Sequence, residues 1–341
     1  HHGSAGIPAE TEAFRQEYQR IRDAIGSVIV GQNRVVDSVL TAMFCGGNVL
    51  LEGVPGLGKT ELVKSLARVL DLDFRRIQFT PDLMPADIIG TNIMNTDESG
   101  RYQFEFRRGP IFTQLLLADE INRASPKTQS ALLETMQEGT VTVGGDVSVL
   151  DQPFFVLATQ NPIEQEGTYP LPEAQLDRFM FKINVSYPSS EEEIGIMRSV
   201  TGSGGGSPEE VIGKEDILAL QDLVTRVPVA DHIFQYVAAL VRATRPGEDN
   251  APGFIQDFVS WGCGPRACLN LITGAKARAI LRGRFNASLE DVQALALPVM
   301  RHRMGLNFAA QSEGVDSDHV IGRLLEEIPS DKALYESEAA T

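Results

Sequence analysis

The stretch that decides the fold lies at residues 53–60 and reads Gly53-Val54-Pro55-Gly56-Leu57-Gly58-Lys59-Thr60. It satisfies the pattern G-x-x-x-x-G-K-[ST], in which glycines let backbone N–H groups converge on phosphate oxygens without an intervening Cβ. The lysine supplies a positive charge for the β- and γ-phosphates, and the threonine offers a hydroxyl to Mg²⁺. A helix that begins here directs the positive end of its dipole at the anion. The predicted nucleotide contacts are Gly53, Pro55, Gly56, Leu57, Gly58, Lys59, Thr60 and Glu61, with Thr60 also a predicted metal ligand.

The segments around this loop alternate between short apolar runs and stretches of helical periodicity. Leu62, Leu66 and Val69 follow the loop at helical spacing. Apolar runs separated by helices are typical of buried parallel strands. Five such runs lie at residues 49–51, 74–79, 115–118, 154–158 and 179–185. We therefore predict an α/β fold with a five-stranded parallel sheet flanked by helices.

Two segments do not fit this alternation and predict β-hairpins. Aromatic residues at 102, 104 and 106 alternate with polar residues after a turn-like segment at 95–100, which indicates a hairpin inserted in the helical layer. Further along, Val141 and Val143 mirror Val147 and Val149 across the turn signal at 144–146.

The pattern becomes purely helical past residue 188. Ser288 and Asp291 are spaced as a capping box, and the Gly/Ser-rich segment at 201–208 predicts a flexible loop. We predict an α/β domain at 9–188, a small all-helical lid domain at 189–330 and a flexible tail at 331–341. Residues 1–8, which begin His1-His2-Gly3-Ser4, are interpreted as a tag remnant and N-terminal tail.

Composition argues against several classes of protein. Hydrophobic residues make up 43% of the 341 residues, yet no apolar run approaches the roughly 18 residues of a membrane-spanning helix. The formal net charge of −16 argues against broad binding to nucleic acid, whose phosphates would be repelled. Cys45, Cys263 and Cys268 have neither the number nor the spacing of a disulfide framework or a zinc site. With no leader segment apparent, we expect a cytoplasmic protein whose cysteines are reduced.

An acidic pair, Asp119 and Glu120, ends the third apolar run. Ligands of open α/β sheets bind at the carboxyl ends of strands, and phosphoryl transfer needs a metal anchor and a group that orients water. We assign Asp119 to the Mg²⁺ shell and Glu120 to the attacking water. A solvated acidic pair at a strand end is the alternative interpretation.

Three further polar residues are candidates for the same site. Asn161 follows the fourth apolar run, where an amide can hydrogen-bond the γ-phosphate or hold the water, although asparagine before proline also favours a turn. Arg178 precedes the fifth run and could neutralise charge on the transferring phosphoryl group, in its own or another subunit. An ion pair with Asp177 fits the local sequence equally well. Arg266 opens a helix of the lid domain, from which it could reach back over the nucleotide.

Together these motifs resemble the AAA+ ATPases and, within them, the MoxR family. The resemblance covers residues 25–304, and besides the phosphate loop its most specific pieces lie at 118–124, 129–139, 158–162, 171–179 and 265–267. The roles that it implies are sensor 1 for Asn161, an arginine finger acting in trans for Arg178, sensor 2 for Arg266, an adenine-facing patch for Ile29, Val30 and Gly31, and a second contact between subunits for Arg123.

The resemblance also implies an architecture and partners. The inserts at about 86–110 and 139–151 are similar to the helix-2 insert and the presensor-1 hairpin of such enzymes. These families form rings, usually hexamers, and MoxR relatives are thought to be chaperone-like ATPases that work with proteins carrying von Willebrand A domains. ATP and Mg²⁺ are the implied cofactors. The sequence departs from many relatives at Gly262-Cys263-Gly264, where they have Gly-Ala-Ser, and in its loose connector at 201–208.

Three other functions stay open at this point. A nucleic-acid motor would use Arg101, Arg107 and Arg108 as a basic tip, but the net charge of −16 is unfavourable to it. A magnesium-chelatase-like subunit shares much of the architecture. A nucleotide sensor without hydrolysis is disfavoured because the lysine and both carboxylates of the site are present.

Overall fold

The computed structural model describes residues 6–27, 29, 32–53, 58–162, 167–203 and 208–338, with side chains to residue 335. Its helices are α1 (Ile7–Gly26), α2 (Asn33–Phe44), α3 (Lys59–Val69), α4 (Pro85–Ile89), α5 (Pro126–Glu138), α6 (Glu173–Leu176), α7 (Ser190–Thr201), α8 (Lys214–Thr225), α9 (Asp231–Arg242), α10 (Gly253–Phe258), α11 (Pro265–Leu281), α12 (Leu289–Met300), α13 (Phe308–Glu313), α14 (Ser317–Glu327) and α15 (Lys332–Glu338). Its strands are β1 (Val49–Gly53), β2 (Phe74–Gln78), β3 (Gly90–Thr96), β4 (Tyr102–Arg108), β5 (Leu115–Asp119), β6 (Thr140–Val143), β7 (Asp146–Val149), β8 (Phe155–Gln160), β9 (Phe181–Val185), β10 (Val259–Trp261) and β11 (Gly305–Leu306).

Five of these strands form the predicted sheet, in the order β2-β5-β8-β1-β9. The pairings of β2 with β5, β5 with β8, and β8 with β1 are parallel. All six residues of β8 are buried, as its central place requires. The α/β prediction is therefore confirmed, and the strand order brings the ends of β5, β8 and β1 side by side.

The core of this sheet packs against helix α5. Leu50, Leu116 and Val156 come from three neighbouring strands and share one buried cluster with Leu132 and Leu133 of α5. Burying a side chain of this size stabilises the fold by about 1.5–3 kcal/mol. This packing supports the strand ends that carry the polar residues.

Both predicted hairpins are present. In the first, β3 and β4 pair antiparallel, with Met94 opposite Phe104. In the second, β6 and β7 are joined by Gly144 and Gly145, whose φ angles are +59° and +88°. Two consecutive positive φ angles are the geometry of a two-residue hairpin turn, which explains the glycine pair.

The chain forms two compact units. One contains the described residues of 20–179 and 183–218; the other contains those of 1–19, 180–182 and 219–341. The predicted limits of 9–188 and 189–330 for the domains stay a prediction. Within the described ranges, none of the helices combines the length and apolar character needed to cross a bilayer.

The second unit is mainly helical, with α9, α11, α12 and α14 packed together. It differs from the sequence expectation in two places. A short antiparallel pair, β10 with β11, joins residues too few for a periodic signal. The described part of the segment predicted to be a flexible tail, residues 331–338, contains α15, where Tyr335 is buried and its ring contacts that of Tyr236 edge-on at 6.2 Å between centroids.

Candidate functional site

The phosphate loop joins the end of β1 to the start of α3. Gly53 is the last residue of β1, and Lys59 is the first residue of α3, preceded by Gly58 with φ +70°. Thr60 and Glu61 follow in the first turn of α3, as the motif predicts. Pro55, Gly56 and Leu57 lie outside the described residues, as do Val30 and Gly31 of the predicted adenine patch. Ile29 of that patch is half-buried.

The structure brings Lys59 together with both predicted carboxylates. Burial lowers the pKa of Lys59, while Asp119 and Glu120 act on it in the opposite direction. A partly buried lysine near two carboxylates is typical of a binding or catalytic site for charged ligands. Residues of two separate motifs therefore lie close enough to interact electrostatically.

Asp119, the last residue of β5, is held through both carboxylate oxygens. Its Oδ1 accepts a hydrogen bond of 2.7 Å from Thr159 Oγ1, and its Oδ2 accepts one of 2.7 Å from Arg76 of β2. Because Arg76 is well exposed, its ion pair with Asp119 is open to exchange with solvent. The bond to Thr159 is shielded from water, because Thr159 is buried.

Glu120 adopts a conformation that is unusual for a residue with a side chain. Its φ and ψ are +55° and +51°, in the left-handed region. Its N–H donates to Thr159 Oγ1 at 2.9 Å, and its Oε2 accepts from Arg123 at 3.2 Å. Arg123, predicted as a contact between subunits, is therefore engaged within its own chain.

Asn161 is buried directly after β8. Its backbone carbonyl accepts a hydrogen bond of 3.2 Å from Asn122 Nδ2, which ties it to the turn that follows Glu120. Its neighbour Gln160 donates from Nε2 to Glu52 Oε2 at 2.7 Å, directly before the phosphate loop. The strand ends that carry the predicted nucleotide residues are thus connected by side chains.

A second polar link joins the same loops. Gln129 of α5 is buried, and its Nε2 lies 3.3, 3.1 and 3.0 Å from the carbonyl oxygens of Ile121, Ala124 and Tyr169. Tyr169 in turn donates its N–H to the carbonyl of Asn122 at 2.6 Å. One amide therefore fastens the turn after β5 to the segment that follows β8.

The sequence patterns assign no role to Glu52, Arg76, Thr159 or Gln160. They predict a fourth strand that ends at residue 158, whereas β8 continues to Gln160. Polar residues that extend a buried strand could have indicated these contacts, because buried polar side chains need hydrogen-bond partners on the neighbouring strands. Gln160 faces Glu52 in the register, and Thr159 faces Leu51.

The two predicted arginines have different surroundings. Arg178 lies two residues after α6 and is half-buried, and its guanidinium forms no hydrogen bond or ion pair with any residue that the structure describes, Asp177 included. Arg266 is the second residue of α11 and is also half-buried, but it belongs to the other compact unit. Its predicted approach to the nucleotide stays a prediction.

Cys263, the residue that departs from the family pattern, packs beside the start of α11. It is buried, and burial is the main cause that raises its pKa to about 12, so the thiol stays protonated. Its N–H donates to Thr244 Oγ1 and its carbonyl accepts from Arg245 Nε, at 2.9 and 2.8 Å. Cys263 therefore acts as a small buried side chain.

The donor set of the site fits Mg²⁺. Mg²⁺ is usually held by one or two protein oxygens, with water and substrate phosphates in its other positions, and Asp119 and Thr60 supply one carboxylate and one hydroxyl. Across the described ranges, no three His, Cys, Asp or Glu side chains are grouped to hold a metal ion by themselves. One carboxylate and one hydroxyl suit a metal ion that arrives with a phosphate ligand.

Two regions of the chain match known family models. Residues 48–181 match the ATPase family associated with various cellular activities (AAA), and residues 255–324 match the AAA lid domain.

Proteins similar along most of the chain include two MoxR proteins and one solved structure. Chaperone MoxR1 of Mycobacterium tuberculosis is 43% identical over 96% of this chain and 84% of its own length. Protein MoxR of Methylorubrum extorquens is 30% identical over 86% of this chain and 89% of its own length. The crystal structure of a candidate ATPase from Cytophaga hutchinsonii has a TM-score of 0.87 and 42% identity, and the match covers 94% of this chain and 97% of that one.

Proposed function

Since this chain belongs to the MoxR family of AAA+ ATPases, we propose that it hydrolyses ATP with Mg²⁺ and uses the cycle to remodel or activate protein partners. The convergence of Lys59, Asp119 and Glu120 at one end of the sheet carries this proposal. A cation for phosphate, a carboxylate for metal and a second carboxylate for water are the parts that phosphoryl transfer requires.

Each residue has a separate task in the proposed reaction. Lys59 binds the β- and γ-phosphates, while Thr60 and Asp119 would hold the metal ion. Bound Mg²⁺ would neutralise charge on the phosphate oxygens. Glu120 accepts a proton from the attacking water as general base, and the side-chain amide of Asn161 orients that water or the γ-phosphate.

We further propose a ring, hexameric as in related families, in which Arg178 completes the site of the next subunit. A half-buried guanidinium without a partner in the described part of its own chain supports this role. A head-to-tail interface either closes into a ring or continues as a filament, and closure gives every subunit a complete site. The proposed client is a protein with a von Willebrand A domain.

The first test is the Glu120→Gln variant. Removing the general base while keeping the shape of the side chain is expected to lower turnover by about 10²–10⁴-fold. ATP binding should persist, because Lys59 and Asp119 are unchanged. Isothermal calorimetry with ATP and Mg²⁺ measures binding, and phosphate release measures turnover.

Glu313→Gln is the matched control, because Glu313 is exposed on α13, in the other compact unit. It should bind and hydrolyse ATP as the wild type does. Turnover of Glu120→Gln near the wild-type rate would remove Glu120 from its role. A wild-type protein that takes up no ATP in the presence of Mg²⁺ would overturn the proposed function.

The client is tested with the same variant. Glu120→Gln held with ATP should retain partners in a pull-down, and we expect mass spectrometry to identify a protein with a von Willebrand A domain. The alternatives predict other results. A nucleic-acid motor would show DNA-stimulated turnover, whereas a magnesium-chelatase-like subunit would capture metal-inserting partners.

A further inference from the structure

Thr159 connects the two carboxylate residues of the site through one hydroxyl group. The side chain is buried on β8, and its Oγ1 lies 2.7 Å from Asp119 Oδ1 and 2.9 Å from the backbone nitrogen of Glu120. No motif of the sequence assigned it a role.

The direction of both hydrogen bonds follows from chemistry. The N–H of Glu120 can only donate, so Oγ1 accepts there, and the single hydroxyl proton is left for Asp119. An ionised carboxylate only accepts, so this arrangement suits the charged form of Asp119 that a metal ion requires. One group thus orients the metal-binding carboxylate and anchors the backbone of the general base.

The backbone of Glu120 needs such an anchor. A residue with a side chain rarely adopts a φ of +55°, and such conformations persist where the surroundings hold them. The ion pair with Arg123 is partly exposed and holds only the side chain. The Thr159 hydroxyl is the acceptor that holds the backbone N–H itself.

We propose that Thr159 is a positioning residue that orients Asp119 for the metal ion and holds Glu120 in its left-handed conformation. This inference rests on the proposed ATPase function. It assigns to Thr159 no contact with ATP, so nucleotide affinity without metal should not depend on it.

Thr159→Val tests the hydroxyl, because valine has nearly the same shape. We expect turnover to fall by about 10–100-fold, the usual effect of losing a partner of a metal ligand. Mn²⁺ binding to the protein with ADP, followed by electron paramagnetic resonance, should weaken by a similar factor. Without nucleotide, amide hydrogen exchange of a peptide covering 119–124 should become faster. Thr159→Ser, which keeps the hydroxyl, should restore all three measurements to within a few-fold of the wild type.

Thr135→Val is the matched control, because Thr135 is also buried but its hydroxyl, among the described residues, bonds only to the Ala131 carbonyl of its own helix. It should leave Mn²⁺ binding and turnover unchanged. If Thr159→Val does not fold, Thr159→Ala and Thr159→Ser give the same comparison, since both lack the methyl group and differ only in the hydroxyl.

Two failures can be told apart. Wild-type Mn²⁺ binding and turnover in a folded variant without the hydroxyl, or equal losses in Thr159→Ser, would overturn the positioning role alone. No Mg²⁺-dependent turnover by the wild type would overturn the proposed function, whatever the exchange rate of the 119–124 peptide.

Discussion

At the scale of single residues, Gly53 shows that a motif residue can be required for more than one reason. The motif predicts a glycine here so that backbone N–H groups reach phosphate. The structure adds a packing reason: a Cβ at Gly53 would lie 2.3 Å from the Val185 carbonyl oxygen and 2.8 Å from its Cβ. The start of the phosphate loop therefore packs closely against strand β9.

Gly53→Ala should lower both the free energy of unfolding and nucleotide affinity. Displacing the β9 backbone is expected to cost about 1–3 kcal/mol, as overpacking does elsewhere. Denaturation by urea measures the change. Gly213→Ala, where a Cβ meets no atom within 4 Å, is the control and should have little effect. Equal stability of the two variants would contradict the packing role of Gly53.

At the scale of elements, a buried ion cluster fastens α11 to α12. The predicted capping box of Ser288 and Asp291 is confirmed at the start of α12. The fully buried carboxylate of Asp291 also accepts hydrogen bonds from Arg278 of α11, at 2.6 Å, and from Arg284. Burial by itself would raise the pKa of Asp291, but these bonds and that of the Ser288 N–H hold it below its ordinary value of 3.8.

Asp291→Asn should destabilise the helical unit by about 3 kcal/mol, because two arginines lose their charged partner. Because the pKa of Asp291 is lower in the folded state, its contribution to the free energy of unfolding is complete above pH 3.8 and is lost as the pH falls through the folded-state pKa. The free energy of unfolding is measured by urea denaturation from pH 7 to pH 3. The difference between variant and wild type should become smaller below about pH 4.

Asp318→Asn is the control, at a carboxylate that pairs with a single arginine and is more exposed. Asp318 accepts hydrogen bonds from Nε and Nη2 of Arg301, at 3.0 and 3.1 Å, but its side chain is 37% exposed, so we expect a loss of at most about 1 kcal/mol. The role of the buried cluster would be contradicted if Asp291→Asn lost no more free energy of unfolding than Asp318→Asn, or if its loss did not change with pH.

At the scale of the whole molecule, the proposed role of Arg178 would leave the site of a single chain incomplete. The guanidinium of Arg178 has no partner among the described residues, whereas that of Arg123 is paired with Glu120. This difference favours Arg178 over Arg123 as the arginine that acts on a neighbouring subunit. Assembly and catalysis would then depend on each other, because each subunit lacks one charge until another binds.

Arg178→Ala should bind nucleotide almost as the wild type does but lose turnover, since arginine fingers contribute about 10³–10⁵-fold. Lys59→Ala loses its own site but keeps Arg178. Mixtures of the two variants should regain some phosphate release, because a Lys59→Ala subunit donates its arginine to an intact site. Arg282→Ala, at an exposed position, is the control and should be active alone. No recovery at any mixing ratio would show that Arg178 does not act in trans.

The sequence by itself determined the features that local patterns encode. The loop at 53–60, the carboxylates Asp119 and Glu120, the five apolar strands and the glycine turn at 144–145 were all predicted, because each depends on residues that are close in the chain. Of these, the sheet and the hairpins are confirmed.

Only the tertiary structure decided how the site is held together. Thr159 is hydrogen-bonded to Asp119, 40 residues away in the sequence, and Gln160 to Glu52, 108 residues away. These contacts exist because β8 lies between β5 and β1, and strand order leaves no mark on the periodicity of any single strand. Likewise, Tyr335 of α15 is buried against Tyr236 of α9, and this contact between distant parts of the chain is not encoded in the local pattern of its polar segment.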